Sequence, residues 1–100
     1  MKHIPGELYR QILEVMPIAC VDLIVKNSKN EILLLKRKNA PAKGEWWFPG
    51  GRIHFMETRK DAVVRKLKEE CGLTGKNVKE IGTYDLLLRT ESNDPSHGIT

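Results

Sequence analysis

Gly51-Arg52-Ile53-His54-Phe55-Met56-Glu57, then seven residues from Thr58 to Val64, then Arg65-Lys66-Leu67-Lys68-Glu69-Glu70-Cys71-Gly72-Leu73, is the stretch from which the rest of the chain can be read. It follows Trp46-Trp47-Phe48, an aromatic, strand-like run that Pro49-Gly50-Gly51 interrupts. Two adjacent glycines allow a sharp turn and let a ligand approach the main chain closely. Beyond them the pattern predicts a helix over 58–71. Thr58 is its N-cap, Asp61 sits near its positive end, and Gly72 is its stop. Val63, Val64, Leu67 and Cys71 fall within an arc of about 100° at 3.6 residues per turn, which predicts the face that packs on a sheet.

Positions 66, 69 and 70 flank that arc, because residues three and four apart are neighbours. Glu69 and Glu70 therefore point together toward one edge of the helix. Such a pair suits a hard divalent cation such as Mg²⁺, which takes few protein ligands and keeps phosphate oxygens as the others. The same pair can also close a salt-bridged helix end, Arg65 with Glu69 and Lys66 with Glu70.

With its spacing of Gly51, five residues, Glu57, seven residues, then Arg65 to Leu73, the stretch resembles the Nudix box, G-x5-E-x7-R-E-U-x-E-E-x-G-U. The departure is Lys66, where the family has a glutamate that binds metal or acts as a base. An ammonium cannot bind a metal, and beside Glu69 and Glu70 it weakens binding of a second or third ion. The resemblance then implies a site with one metal, Mg²⁺ with Mn²⁺ as the alternative. A tolerated surface lysine and conventional attack of water on phosphorus is the competing reading.

Upstream, Val21-Asp22-Leu23-Ile24-Val25-Lys26-Asn27-Ser28, Glu31-Ile32-Leu33-Leu34-Leu35-Lys36-Arg37, Asn39, Pro41-Ala42, Gly44, Trp46 and Pro49-Gly50-Gly51-Arg52 sharpen the likeness. Together they resemble the GDP-mannose mannosyl hydrolase branch, from about Tyr9 to Leu73. That branch also departs at the position of Lys66, and at that of Glu69, where this chain keeps the glutamate. The resemblance implies cleavage of the carbon–oxygen bond at the anomeric carbon of a nucleoside diphosphate sugar, with water displacing GDP. It also implies roles. Glu70 and the Gly50 main-chain carbonyl would hold the metal, joined by Glu69 on the paired-carboxylate reading above. Arg37 and Arg52 would grip the diphosphate, Arg65 would orient Glu57 or Glu69, and Asp22 would support the sugar end. Trp46 is a candidate for stacking on base or sugar.

Asp22 stands out without any resemblance. It interrupts an apolar run from Ile18 to Val25 that reads as a buried strand. A buried carboxylate is costly unless paired, so an ion pair with an arginine and a role at the sugar are both open. Alternation sends one of Trp46 and Trp47 to the core and the other to the opposite side. His54 and His97 read as solvated side chains before they read as ligands.

The 100 residues, 40% hydrophobic, predict one small domain, and the resemblance implies that it is α/β, a Nudix-type α/β/α sandwich with a mixed sheet. A helix is predicted at 6–15, strands at 18–26, 31–37 and 78–90, and a turn at 27–30. Residues 91–97 read as loop, and Gly98-Ile99-Thr100 as the start of a strand. The family's later strands, second helix and catalytic base are expected beyond that point, so the resemblance implies a truncated chain or a homodimer that completes the fold. A net charge of +4 fits a phosphate-rich ligand. No basic stripe interleaved with aromatics marks a dedicated nucleic-acid module. Cys20 and Cys71 have neither metal-site nor disulfide spacing, no signal peptide is visible, and no apolar run is long enough for a membrane span, so a cytoplasmic location is expected. A nucleotide-binding module without catalysis is the reading from another class.

Overall fold

The structure is a computed structural model that describes residues 3–38, 43–75, 77–89 and 95–100. Among the described residues eight elements follow one another: α1 (Gly6–Val15), β1 (Ile18–Asp22), β2 (Leu35–Lys36), β3 (Trp46–Trp47), β4 (Gly50–Arg52), α2 (Arg59–Cys71), β5 (Asp85–Arg89) and β6 (Pro95–Ile99). A four-stranded sheet runs in the order β4-β1-β6-β5, and β2 and β3 form a separate ribbon. β1 is antiparallel to β4 and parallel to β6, and β6 is antiparallel to β5. This is the mixed sheet that the resemblance implies.

Register decides which residue meets which helix. Cys20, Val21 and Asp22 lie opposite Arg52, Gly51 and Gly50. Side chains alternate along a strand, so Val21 and Gly51 share one face while Cys20, Asp22, Gly50 and Arg52 share the other. α2 covers the first face. Its Ala62 and Leu67 form the core with Val21 and Leu23, and Val25, Ile53, Val63 and Cys71 pack around them. α1 lies toward the second face, where the Arg52 guanidinium sits 6.0 Å from the Tyr9 ring centroid.

α2 begins as its sequence dictates. Thr58 Oγ1 accepts the Asp61 N–H at 3.1 Å, and Gly72 ends the helix in the left-handed region with φ 66°. Its buried face is turned from the predicted one. Ala62 is fully buried, whereas Val64 is 42% exposed. The predicted arc runs through the larger side chains, whereas the small Ala62 closes against Val21, Leu23 and Leu67.

Pro49-Gly50-Gly51 does not make the predicted sharp turn. Gly50 and Gly51 belong to β4, and neither has positive φ. They are needed for close contact. A Cβ on Gly50 would stand 2.2 Å from the Val21 carbonyl oxygen, and one on Gly51 would stand 2.9 Å from Lys66 Cε.

The remaining strands are shorter than predicted. β1 ends at Asp22, β2 keeps only two residues of 31–37, and β5 begins at Asp85. Apolar alternation reports burial, whereas a ladder also needs a partner. Past Asp22 the main chain pairs irregularly, Leu23 N–H with the Pro49 carbonyl and Leu33 N–H with that of Val25. The 27–30 turn forms as expected, with Asn27 Oδ1 accepting the N–H groups of Lys29 and Glu31. Residues 95–97, read as loop, are strand, because β6 fills the gap between β1 and β5. Residues 39–42 of the quoted lead-in and 91–94 of the polar segment lie outside the described residues. Among the described residues no helix is long and apolar enough to cross a membrane.

Candidate active site

The cap of α2 and the approach of β4 place five carboxylate- and cation-bearing residues side by side, Glu57, Arg65, Lys66, Glu69 and Glu70. The strongest contact is between Arg65 and Glu57. Nε donates to Oε2 at 2.7 Å and Nη2 to Oε1 at 3.0 Å, a two-pronged grip. The same guanidinium donates to the Arg52 carbonyl at 3.0 Å and to Glu69 Oε2 at 3.2 Å. Arg65 thus ties the loop after β4 to the helix that follows it, in contact with both Glu57 and Glu69. Its hydrogen bonds hold the Glu57 carboxyl down to about 2. Glu57 also accepts the His54 N–H at 3.0 Å. Desolvation, then the nearby Arg65 charge, holds the His54 imidazole below its usual value, and its Nδ1 has no partner among the described residues.

Glu69 and Glu70 lie one turn farther along, as the spacing implies. Their oxygens converge on one cation. Lys66 Nζ is 2.8 Å from Glu70 Oε1 and 3.6 Å from Glu69 Oε2. The other Glu70 oxygen accepts the Gly50 N–H at 3.2 Å. Gly50, Glu69 and Glu70 are therefore neighbours, and Lys66 sits among them rather than on a solvated face. The salt-bridged reading and the metal reading describe the same atoms.

Two carboxylates aimed at one positive charge, beside a strand main chain, offer the hard oxygen donors that Mg²⁺ takes. Among the described residues no group of three or more His, Cys, Asp or Glu side chains is arranged to hold a metal. The donor set fits an ion that keeps most of its shell from water and substrate, and it fits a multi-carboxylate cage poorly.

The other predicted site residues are distributed around this cluster. Arg52 donates weakly to the Ile53 carbonyl at 3.5 Å and reaches over Tyr9. Asp22 sits opposite Gly50 in register, half-buried, on the face away from α2. Its partner is the Tyr84 hydroxyl, which donates to Asp22 Oδ2, and not the arginine that sequence reasoning offered. Burial and then this bond push the Tyr84 phenol up to about 12. Arg37 and Trp46 stand on the β2–β3 ribbon. Leu35 and Lys36 pair with Trp47 and Trp46, and the Arg37 N–H and carbonyl close the hairpin on Glu45 and Gly44. Trp46 is 65% exposed and Trp47 half-buried, so the two rings differ in exposure, but Trp47 is outside the core cluster of Val21, Leu23, Ala62 and Leu67. His97 lies 3.7 Å from Asp85 on the β5–β6 pair, apart from the cluster.

Sequence reasoning missed Tyr9 and Tyr84. Tyr9 could have been found from its helical spacing with Ile12 and Leu13. Nothing local marks Tyr84, because its partner is on a distant strand.

Comparison with known proteins points the same way. The model of the NUDIX domain matches residues 16–99. Low-salt glycan biosynthesis protein Agl8 of Haloferax volcanii is 35% identical over 98 residues, 95% of this chain and 62% of that protein. The ADP-ribose pyrophosphatase of Methanocaldococcus jannaschii is 44% identical over 78 residues, 78% of this chain and 46% of that protein. The chain thus spans less than two thirds of the length of either relative. Among solved structures, a MutT NUDIX hydrolase from Burkholderia pseudomallei superposes with a TM-score of 0.70 at 26% identity, over 84% of this chain and 64% of that one. A MutT protein from Methanosarcina mazei gives 0.66 at 29%, over 83% and 60%. The box from Gly51 to Leu73, the mixed sheet it docks on and the family match agree: the chain belongs to the NUDIX domain family.

Proposed function

We propose that the chain is a divalent-cation-dependent hydrolase of nucleoside diphosphate sugars that acts on GDP-mannose, releasing GDP and mannose by water attack at the anomeric carbon. The observation that carries this reading is the convergence of Glu69 and Glu70 on one cation beside the Gly50 main chain. A Mg²⁺ or Mn²⁺ ion held there would neutralise the diphosphate and improve GDP as a leaving group.

The chain's own residues supply the rest. Arg65 fixes Glu57 and Glu69, so the carboxylate edge is set before substrate arrives. Arg52 and Arg37 carry permanent charges that can hold phosphate oxygens in two-pronged contacts. Asp22, with one oxygen held by Tyr84, offers negative charge to the sugar as the carbon–oxygen bond breaks. Trp46 presents an exposed ring for stacking. Lys66 favours carbon over phosphorus as the centre attacked, because it leaves less room for the metals that phosphorus attack calls on. The likeness to a protein named for glycan biosynthesis supports a sugar nucleotide as substrate.

A second reading has its own support. Glu69 stands beside Glu70, and a relative is named an ADP-ribose pyrophosphatase. Both fit cleavage of the diphosphate itself. Phosphorus NMR of GDP-mannose with the protein and Mg²⁺ separates the two. GDP as the only nucleotide product supports carbon–oxygen cleavage. GMP with mannose 1-phosphate supports the second reading and refutes the first. No turnover of GDP-mannose or ADP-ribose refutes both and leaves a nucleotide-binding module.

A further inference from the structure

Lys66 limits the metals in the reaction described above, but its ammonium is given no contact there with metal or substrate. Its position is unusual for a lysine. The side chain is 17% exposed, while lysines are almost never buried unless paired. Its stem lies against β4, with Cε 2.9 Å and Nζ 3.1 Å from the point where a Cβ on Gly51 would stand. Its ammonium is held by Glu70 and Glu69. Around it, Glu57, Glu69 and Glu70 carry three negative charges, and Arg65 and Lys66 carry two positive ones. The ammonium therefore occupies the point where a divalent cation on the same two carboxylates would sit. A divalent cation drawn to the same Glu70 oxygen would meet the ammonium there, and the two positive charges repel each other.

We propose that Lys66 is a displaceable counter-ion. It gives up Glu70 and Glu69 when a divalent cation binds there, and its ammonium then takes an oxygen of the substrate's diphosphate. The inference rests on the reading of Glu69 and Glu70 as the metal edge. The stem lies beside Gly51, so the ammonium turns on it and stays near the ion. A partly buried ammonium that loses its carboxylates needs another anion. A Mg²⁺ ion with few protein ligands is completed by phosphate oxygens, so the diphosphate lies within reach. A lysine suits this exchange better than an arginine, since its compact charge turns on a flexible stem and does not require a matched fork.

The test is a pair of titrations on the chain and its Lys66→Met variant, which keeps the stem. Mn²⁺ alone is followed by electron paramagnetic resonance of the free ion, and inorganic pyrophosphate by calorimetry at saturating Mg²⁺. Removing one competing, partly buried charge is expected to tighten Mn²⁺ about ten-fold and to weaken pyrophosphate about ten-fold. These changes have opposite signs, and a lysine that only packs would move both the same way or neither. Lys66→Arg is expected to recover pyrophosphate binding in part, and Lys66→Gln repeats the test if the methionine variant does not fold. Unchanged Mn²⁺ affinity, or tighter Mn²⁺ with unchanged pyrophosphate, overturns the proposal. Glu70→Gln distinguishes the premise: if it leaves Mn²⁺ binding intact, the metal edge itself is misassigned, whereas its loss with an inert Lys66→Met refutes the counter-ion alone.

Discussion

Arg65 holds both carboxylate oxygens of Glu57, at 2.7 Å and 3.0 Å, across the junction between the β4 loop and α2. The Glu57 side chain is 10% exposed and that of Arg65 21%, so water screens this pair less than an ordinary surface ion pair. The fork geometry is specific to a guanidinium. Replacing Arg65 by Lys keeps the charge and loses the second prong, the Arg52 carbonyl contact and the reach to Glu69. The expected cost is about 2 kcal/mol of unfolding free energy, the scale of a charge-assisted hydrogen bond left imperfect. Urea denaturation of the two proteins measures it, and a difference within error would show that the grip contributes nothing to the fold.

The same pair sets an acid limit. Glu57 has its carboxyl lowered from 4.5 to about 2 in the folded chain, chiefly by its hydrogen bonds from Arg65. A group lowered on folding contributes stability that is present above its unfolded value and is lost as pH falls through its folded value. The contribution is therefore complete above about 4.5 and fades toward about 2. Melting temperature followed over that window is expected to fall more steeply for the native chain than for Glu57→Gln. Parallel curves would contradict this assignment of the acid sensitivity.

Much of this site is legible in the sequence because it is local. Thr58, Asp61, Gly72 and the three- and four-residue spacings of Arg65, Lys66, Glu69 and Glu70 act within one helix, where geometry follows from periodicity. Strand lengths are less legible. Val25 packs on the core although β1 has already lost its ladder at Asp22. Two adjacent glycines suggest a ligand near the main chain, whereas the groups that crowd Gly50 and Gly51 are Val21, Asp22 and Lys66, brought there by tertiary packing. The partner of Asp22 is not legible at all, because it depends on β6 lying between β1 and β5, with Tyr84 just before β5.

Gly50 is the most constrained point of β4. A Cβ there would meet the Val21 carbonyl oxygen at 2.2 Å and Asp22 Oδ1 at 2.8 Å. The first contact is backbone, so no side-chain rotation relieves it. Gly50→Ala must push β4 away from β1 and draw the Gly50 N–H from Glu70. The expected loss is about 3 kcal/mol or more, in the range of overpacking a core. Gly82→Ala is the control, since a Cβ there meets nothing within 4 Å. If thermal unfolding ranks the two variants equally, the close approach of β4 and β1 is wrong.

The Tyr84–Asp22 bond yields a spectroscopic prediction. The phenol of Tyr84 is raised to about 12 by burial first, then by its bond to Asp22 and the charge of that carboxylate. It therefore stays a donor at any pH where the chain would act, and it orients one Asp22 oxygen throughout. The chain has two tyrosines, so ultraviolet difference titration resolves Tyr84 as the phenol lost in Tyr84→Phe. Asp22→Asn removes the carboxylate charge and weakens the acceptor, which are two of the causes of the rise, and leaves the burial. The Tyr84 transition is expected to move down from about 12 without returning fully to the ordinary phenol value of 10.0. A transition that does not move in Asp22→Asn would mean that the two side chains do not meet, and with them would go the anchored carboxylate assigned to the sugar end.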